Sequence, residues 1–323
     1  MKKFLLLSLS LTLALSSFAA SKYDNPDTIF VSRDGTGEFR TVGEAIEVCR
    51  AFMEYHKVIY VKNGTYKEKL VIPSWLTNIE ICGESAEKTI ITYDDHANIQ
   101  TMLPAGMGAM GTFRTYTLKI EGSDITLKNI TIENNAAKLG QAVALHTEGD
   151  RLTFIGCRFL GNQDTVYTGV GGTRLYFLNC YVEGTTDFIF GPSIAWFENC
   201  EIKSKADSYV TAASTPKDQK YGYVFNKCRL YADQGVKRCY LGRPWRQYAY
   251  TLFMNCEIDG HILPVGWDDW KKDHATIRYY EYNNTGAGVG KRVDWAHQLT
   301  KKEAQRITPE EIFGGDTFFL NKL

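Results

Sequence analysis

Two aspartates, Asp164 and Asp187, each lie seven residues after a cysteine, Cys157 and Cys180 respectively. If those cysteines mark equivalent places in a repeat, the two carboxyls stack on neighbouring rungs about 4.8 Å apart. Carboxyls that close interact strongly, and one of them takes a raised pKa. One ionised and one protonated member is what acid/base work requires. Gln163 immediately precedes Asp164, and Gln141 lies 23 residues before it, one repeat further back. Neutral amide donors beside a carboxylate pair suit an ester passing through a tetrahedral oxyanion. Such a set needs no serine and no metal. Aspartate is also a common turn former, so spacing alone leaves a structural role open. Asp207, seven residues after Cys200, extends the same count and could be a turn residue only.

The element that must position these groups is a repeat. It reads Phe154-Ile-Gly-Cys157-Arg-Phe159, Phe177-Leu-Asn-Cys180-Tyr-Val182 and Phe197-Glu-Asn-Cys200-Glu-Ile202. Phe225-Asn-Lys-Cys228-Arg-Leu230 and Phe253-Met-Asn-Cys256-Glu-Ile258 follow, so the cysteine steps are 23, 20, 28 and 28. An earlier copy, Leu127-Lys-Asn-Ile130-Thr-Ile132, carries isoleucine at the cysteine position. Short alternating runs separated by Gly, Asn and Asp predict strands and turns. No helix-length pattern separates the copies. The expected fold is therefore all-β, a right-handed parallel β-helix. Thr41-Val-Gly-Glu44 is a capping box, predicting a helix through Ala45, Ile46, Val48, Cys49 and Phe52 over the first coil. Thr300 with Glu303, and Thr308 before Pro309, predict a helical C-terminal tail packed along the solenoid.

Composition narrows the function class. Met1-Lys2-Lys3 followed by the apolar run Phe4 to Leu15 and the small-residue site at Ser17-Phe18-Ala19 predicts a cleaved signal peptide over residues 1–20. The run is too short for a comfortable membrane span. The expected mature protein is residues 21–323, one long domain, secreted or periplasmic and not a membrane protein. Losing Lys2 and Lys3 leaves 35 basic against 37 acidic residues, a formal charge of −2. That balance argues against nucleic acid as a partner. Export permits disulfides among the eight cysteines. Neither their spacing nor that of the histidines suits zinc, so no metal and no cofactor is expected.

Five segments in order then resemble the pectin methylesterases, or pectinesterases, over almost the whole mature chain. They are Gly64-Thr-Tyr66-Lys-Glu68, Gln141-Ala-Val-Ala-Leu145, Gln163-Asp-Thr-Val-Tyr167, Asp187-Phe-Ile-Phe-Gly191 and Leu241-Gly-Arg-Pro-Trp245. The resemblance implies hydrolysis of galacturonate methyl esters in pectin. It implies Asp187 as nucleophile and Asp164 as general acid, then base. Gln141 and Gln163 would be the oxyanion donors, and Arg243 would keep Asp187 ionised and oriented. Thr112, Gln141, Tyr167, Phe190, Arg243 and Trp245 would contact substrate, with Trp267 as a weaker carry-over. The expected partner is methyl-esterified homogalacturonan, bound by a monomer.

Other residues are read as structural: Tyr66 and Glu68 in the first coils, and His146 without a base role. Ser193 only half matches a nucleophile elbow. Cys180 and Cys200 sit at equivalent places on adjacent coils, which permits a bridge. The resemblance to plant members implies one there, and the alternative is a ladder of buried free thiols. Lys205-Ala-Asp-Ser-Tyr-Val-Thr-Ala departs from the usual run after the nucleophile block and puts subsite preference in doubt. No inhibitory pro-region of the plant type is seen, so direct activity after export is expected. Three rival readings remain. One is a calcium-dependent lyase or a galacturonase on the same fold. The second is a non-catalytic polysaccharide-binding solenoid, and the third is an esterase acting on a different ester.

Overall fold

The repeat folds as stacked coils. A computed structural model describes residues 21–103 and 106–322, so the signal peptide expected over residues 1–20 lies outside the described residues. The strands form three long sheets of eleven, eight and seven members, parallel throughout. The crossover rule makes the winding right-handed. The two-stranded hairpin Gln100–Leu103 and Gly106–Ala109 is antiparallel and stands apart from the coils.

Each sequence repeat spans the corner between the first and second sheets. Its phenylalanine is next to last in a first-sheet strand, and its cysteine immediately precedes a second-sheet strand. In-register pairs join Leu127 to Phe154, Phe154 to Phe177, Phe177 to Phe197, Phe197 to Phe225 and Phe225 to Phe253. The phenyl rings stack at 4.3–4.4 Å in one file through the core. Such contacts add about 0.5–1.5 kcal/mol per pair beyond area burial. The residue before each cysteine turns the corner with positive φ: Gly156, Asn179, Asn199, Lys227 and Asn255, at 52–59°. Asparagine and glycine tolerate that conformation, which explains their recurrence there.

Of the two alternatives at Cys180 and Cys200, a bridge or a ladder of thiols, the structure has the ladder; every cysteine is a free thiol. Each ladder thiol instead donates to a main-chain carbonyl of the preceding coil. Cys180 Sγ reaches Phe154 O at 3.4 Å, Cys200 Sγ reaches Phe177 O at 3.7 Å and Cys228 Sγ reaches Phe197 O at 3.4 Å. Equivalent side chains on parallel rungs point the same way, so each sulfur lies on the backbone beside it and next to the thiols of the neighbouring rungs without bonding to them covalently.

A helix covers the first coil, and the C-terminal tail lies along the side of the solenoid. Helix α1 (Val42–Glu47) has the capping box between Thr41 and Glu44, and it buries Val42, Ala45 and Ile46. It is shorter than its apolar pattern suggested. Cys49 is buried, but Phe52 is 75 % exposed with φ of 53°, because the chain turns to bond Phe52 N–H to Trp75 O. Glu68 accepts from Val42 and Gly43 N–H, and Tyr66 donates to Lys62 O, so both serve the first coils. The C-terminal tail carries α2 (Lys301–Ala304) and α3 (Pro309–Ile312). Ala304, Ile312, Phe313 and Phe319 pack on Tyr176, Trp196, Tyr250 and Met254, the outward face of the first sheet.

Candidate active site

The third sheet positions the two candidate aspartates. Asp164 and Asp187 stand two residues before the strands Val166–Thr168 and Ile189–Gly191, whose pairing of Val166 with Ile189 puts the aspartates on adjacent rungs. Both have left-handed backbone, with φ of 67° and 50°. Aspartate is one of the few residues that accepts this conformation. Their main-chain N–H groups are satisfied by Thr186 O and Tyr209 O, which frees the side chains to face out of the coil. Ala142 N–H donates to Gln163 O, which brings Gln141 beside Gln163 on the neighbouring coil.

A cleft of about 280 Å³ opens over these residues. Gln141, Gln163, Asp164, Asp187, Arg243, Thr112, Phe190 and Trp245 all line it. Tyr167 contributes from behind, 4.7 Å from the Phe190 ring and 4.8 Å from the Phe113 ring. His146, Tyr167, Phe190 and Ala212 hold one register across four coils, so an aromatic floor follows from the ladder itself.

Arg243 binds Asp187 through two parallel bonds, Nε to Oδ1 at 3.0 Å and Nη2 to Oδ2 at 2.7 Å. This fork-on-carboxylate geometry fixes the Asp187 plane. Asp164 and Asp187 are only 8 % and 7 % exposed. Burial pushes the Asp164 carboxyl well above the usual carboxylate range, and the Asp187 charge adds to the rise. Burial also raises Asp187, while the Arg243 hydrogen bonds and charge oppose it. The guanidinium thus offsets desolvation rather than overcoming it. Both carboxyls are raised, Asp164 further than Asp187, so Asp187 is the easier of the two to ionise.

Other residues separate clearly from the site. Asp207 is exposed and accepts from Lys237 and Arg238 N–H, so it caps a turn. It is not the third rung. Ile189 pairs with Thr211, which brings Tyr209 level with Asp187 and leaves Asp207 two residues short. Ser193 Oγ is tied to Thr173 Oγ1 and Val170 O in the interior. His146 is buried edge-on to Tyr167, with Nε2 on Glu148, and burial brings its pKa down to about 4. It supports the aromatic floor. Trp267 is a core residue, 1 % exposed and stacked on Tyr279 at 4.2 Å.

Three cleft residues escaped the sequence reading: Phe113, Ala212 and Trp270. Phe113 directly follows Thr112 and shares its short turn. Ala212 follows from register once the strand Tyr209–Ala213 is placed. Trp270 comes from a loop without repeat character, and no local signal marks it.

The family model described as Pectinesterase matches residues 28–316. A probable pectinesterase/pectinesterase inhibitor of Brassica napus is 36 % identical over 300 residues, 87 % of this chain and 50 % of that protein. The chain thus spans about half the length of this relative and of others like it. Among solved structures, a pectin methylesterase from carrot superposes with a TM-score of 0.82 at 33 % identity, covering 91 % of this chain and 95 % of that one. A pectin methylesterase in complex with a hexasaccharide gives 0.79 at 30 % identity, covering 90 % and 97 %. The chain belongs to the pectinesterase family.

Proposed function

We propose that this protein hydrolyses the methyl esters of galacturonate units in pectin, releasing methanol and free carboxylates. The observation that carries this reading is the carboxyl pair: Asp187 held by the Arg243 fork beside buried Asp164, whose carboxyl is raised well above the usual range. An Asp187 oxygen attacks the ester carbonyl carbon, and the oxyanion forms against the Gln141 and Gln163 amides. Collapse breaks the bond to the methoxy oxygen as the Asp164 proton passes to it, so methanol leaves. An anhydride then links Asp187 to the galacturonate. Asp164, now ionised, takes a proton from water as that water attacks the galacturonate carbonyl. The anhydride opens, Asp187 leaves as carboxylate and Asp164 is again protonated. Thr112, Phe190 and Trp245, with Tyr167 behind, form the walls that receive the polymer.

The relatives of this fold that carry a hexasaccharide support pectin as the partner. No described helix is long and apolar enough to cross a membrane. We read the protein as an exported monomer that meets polymeric pectin in an open cleft, without a cofactor. The test is methanol release from highly methylated pectin. The wild type is expected to release methanol and acidify the medium, with or without a chelator. Asp187→Ala is expected to release none above background. A silent wild type would sink the activity, and an active Asp187→Ala would sink the nucleophile.

A further inference from the structure

The guanidinium of Arg243 is held on more than its Asp187 edge. Its central carbon lies 4.0 Å from the centroid of the Tyr209 ring and 3.8 Å from that of Trp270. A planar guanidinium has two faces, and its edge is taken by Asp187, so two rings at that distance occupy the faces. We propose that Tyr209 and Trp270 form a clamp that fixes the plane of Arg243, making Tyr209 a positioning residue for Asp187. This rests on the reading of Asp187 as nucleophile.

The two rings reach Arg243 by different routes. Tyr209 arrives by register: its strand is the next rung after Asp187, and its carbonyl accepts the Asp187 N–H. Tyr240 of the following coil stacks on its ring at 5.1 Å and 21°. Trp270 arrives on a loop wired to the strand that carries Arg243. Leu241 N–H donates to Gly266 O, Asp268 N–H donates to Gly242 O, and Gly242 pairs with Trp267. Trp267 Nε1 is anchored on Glu281, which is also held by Arg292 in a buried ion pair. Trp270 and Lys271 have φ of 44° and 55°, unusual for such side chains. Backbone of this kind persists only where its surroundings over-determine it. A freely rotating guanidinium would lose one of its two bonds to Asp187 whenever it tilted. The rings remove that tilt.

The charged and titratable groups around Asp187 are Arg243, Asp164, Asp268 and the buried Tyr279 hydroxyl, with the Tyr209 hydroxyl beside Arg243. Removing the Tyr209 face loosens the one cation paired with Asp187 among the described residues and leaves the two acids in place. The experiment compares Tyr209→Leu with Tyr209→Phe, which keeps the ring. Two readouts are used: the carboxyl titration of Asp187 by ¹³C NMR, and kcat and KM for methanol release across pH. Tyr209 does not line the cleft, so KM should hold. Tyr209→Leu is expected to lower kcat about tenfold and to move both the Asp187 titration and the acidic limb up by up to about one pH unit. Tyr209→Phe should match the wild type. If Tyr209→Leu does not fold, Trp270→Leu tests the other face by the same titration. An unmoved titration in the leucine variant overturns the clamp, as does a phenylalanine variant that behaves like leucine. A wild type that releases no methanol removes the esterase reading, while the titration still decides the clamp.

Discussion

Asp164 and Asp187 are near-equivalent residues on adjacent rungs, and what differs is their company. Asp187 has Arg243 on its two oxygens. For Asp164 burial outweighs the more distant Arg243 charge, and the neighbouring carboxylate raises it further. The difference has a thermodynamic consequence. In the unfolded chain Asp164 ionises near its ordinary value of 3.8, while in the folded protein it stays protonated well above that. Folding therefore carries a cost at Asp164 that is absent below pH 3.8 and grows as pH rises towards the folded value. Asp164→Asn removes that cost. The variant is expected to melt higher than the wild type at pH 7, with the gain gone below pH 3.8. Its methanol release should fall by about 10²–10⁴-fold, the scale of a lost general acid. A melting temperature unchanged at pH 7 would refute the protonated Asp164.

At the scale of the element, one six-residue repeat does three jobs. Its phenylalanine builds the stacked file in the core, its corner residue, Asn or Gly at all but Lys227, turns the chain, and its cysteine is buried just ahead of the second-sheet strand. A thiol suits that last position because it is small, largely apolar and able to donate weakly to the carbonyl of the coil before. Serine there would bury a stronger polar group against the same partner. The free-thiol ladder predicts that denatured protein, kept without reductant, titrates with all eight cysteines reactive. Six reactive thiols would mean that one bridge forms after export. Added reductant should leave the melting temperature unchanged.

For the whole molecule, the solenoid has a working face and a supported face. The cleft opens over the third sheet, while the C-terminal segment lies on the outside of the first. Phe319 stacks on Tyr176 at 4.4 Å, and Asp316 holds Arg174, so the tail closes apolar surface that four coils expose together. Phe319→Ala is expected to cost about 3 kcal/mol of stability, at the low end for a buried phenylalanine near a terminus. Chemical denaturation reads that loss. Because tail and cleft lie on different sheets, kcat for methanol release should not change in the folded variant; a large fall would show that the tail supports the site.

Period, turn chemistry and motif order were legible in the chain because each is local. The recurring Phe-x-x-Cys, the Asn corners and the capping boxes at Thr41 and Thr300 depend on neighbours in sequence, and the structure has them all. The stacking of Asp164 under Asp187 was legible too, because the same nine residues separate Cys157 from Val166 and Cys180 from Ile189. The next coil breaks that count. Eleven residues separate Cys200 from Thr211, so Tyr209 takes the rung that counting assigned to Asp207. Register is a sum over turn lengths, and one longer turn shifts everything after it. The free thiols were open for a related reason: spacing places two sulfurs near each other, but only the direction of parallel side chains decides whether they face. Trp270 and its contact with Arg243 lay furthest from the sequence, because nothing between residues 243 and 270 ties them except the fold. The repeat and the paired aspartates can be counted along the chain, whereas what holds Arg243 against Asp187 comes from loops and coils that meet only once the chain has folded.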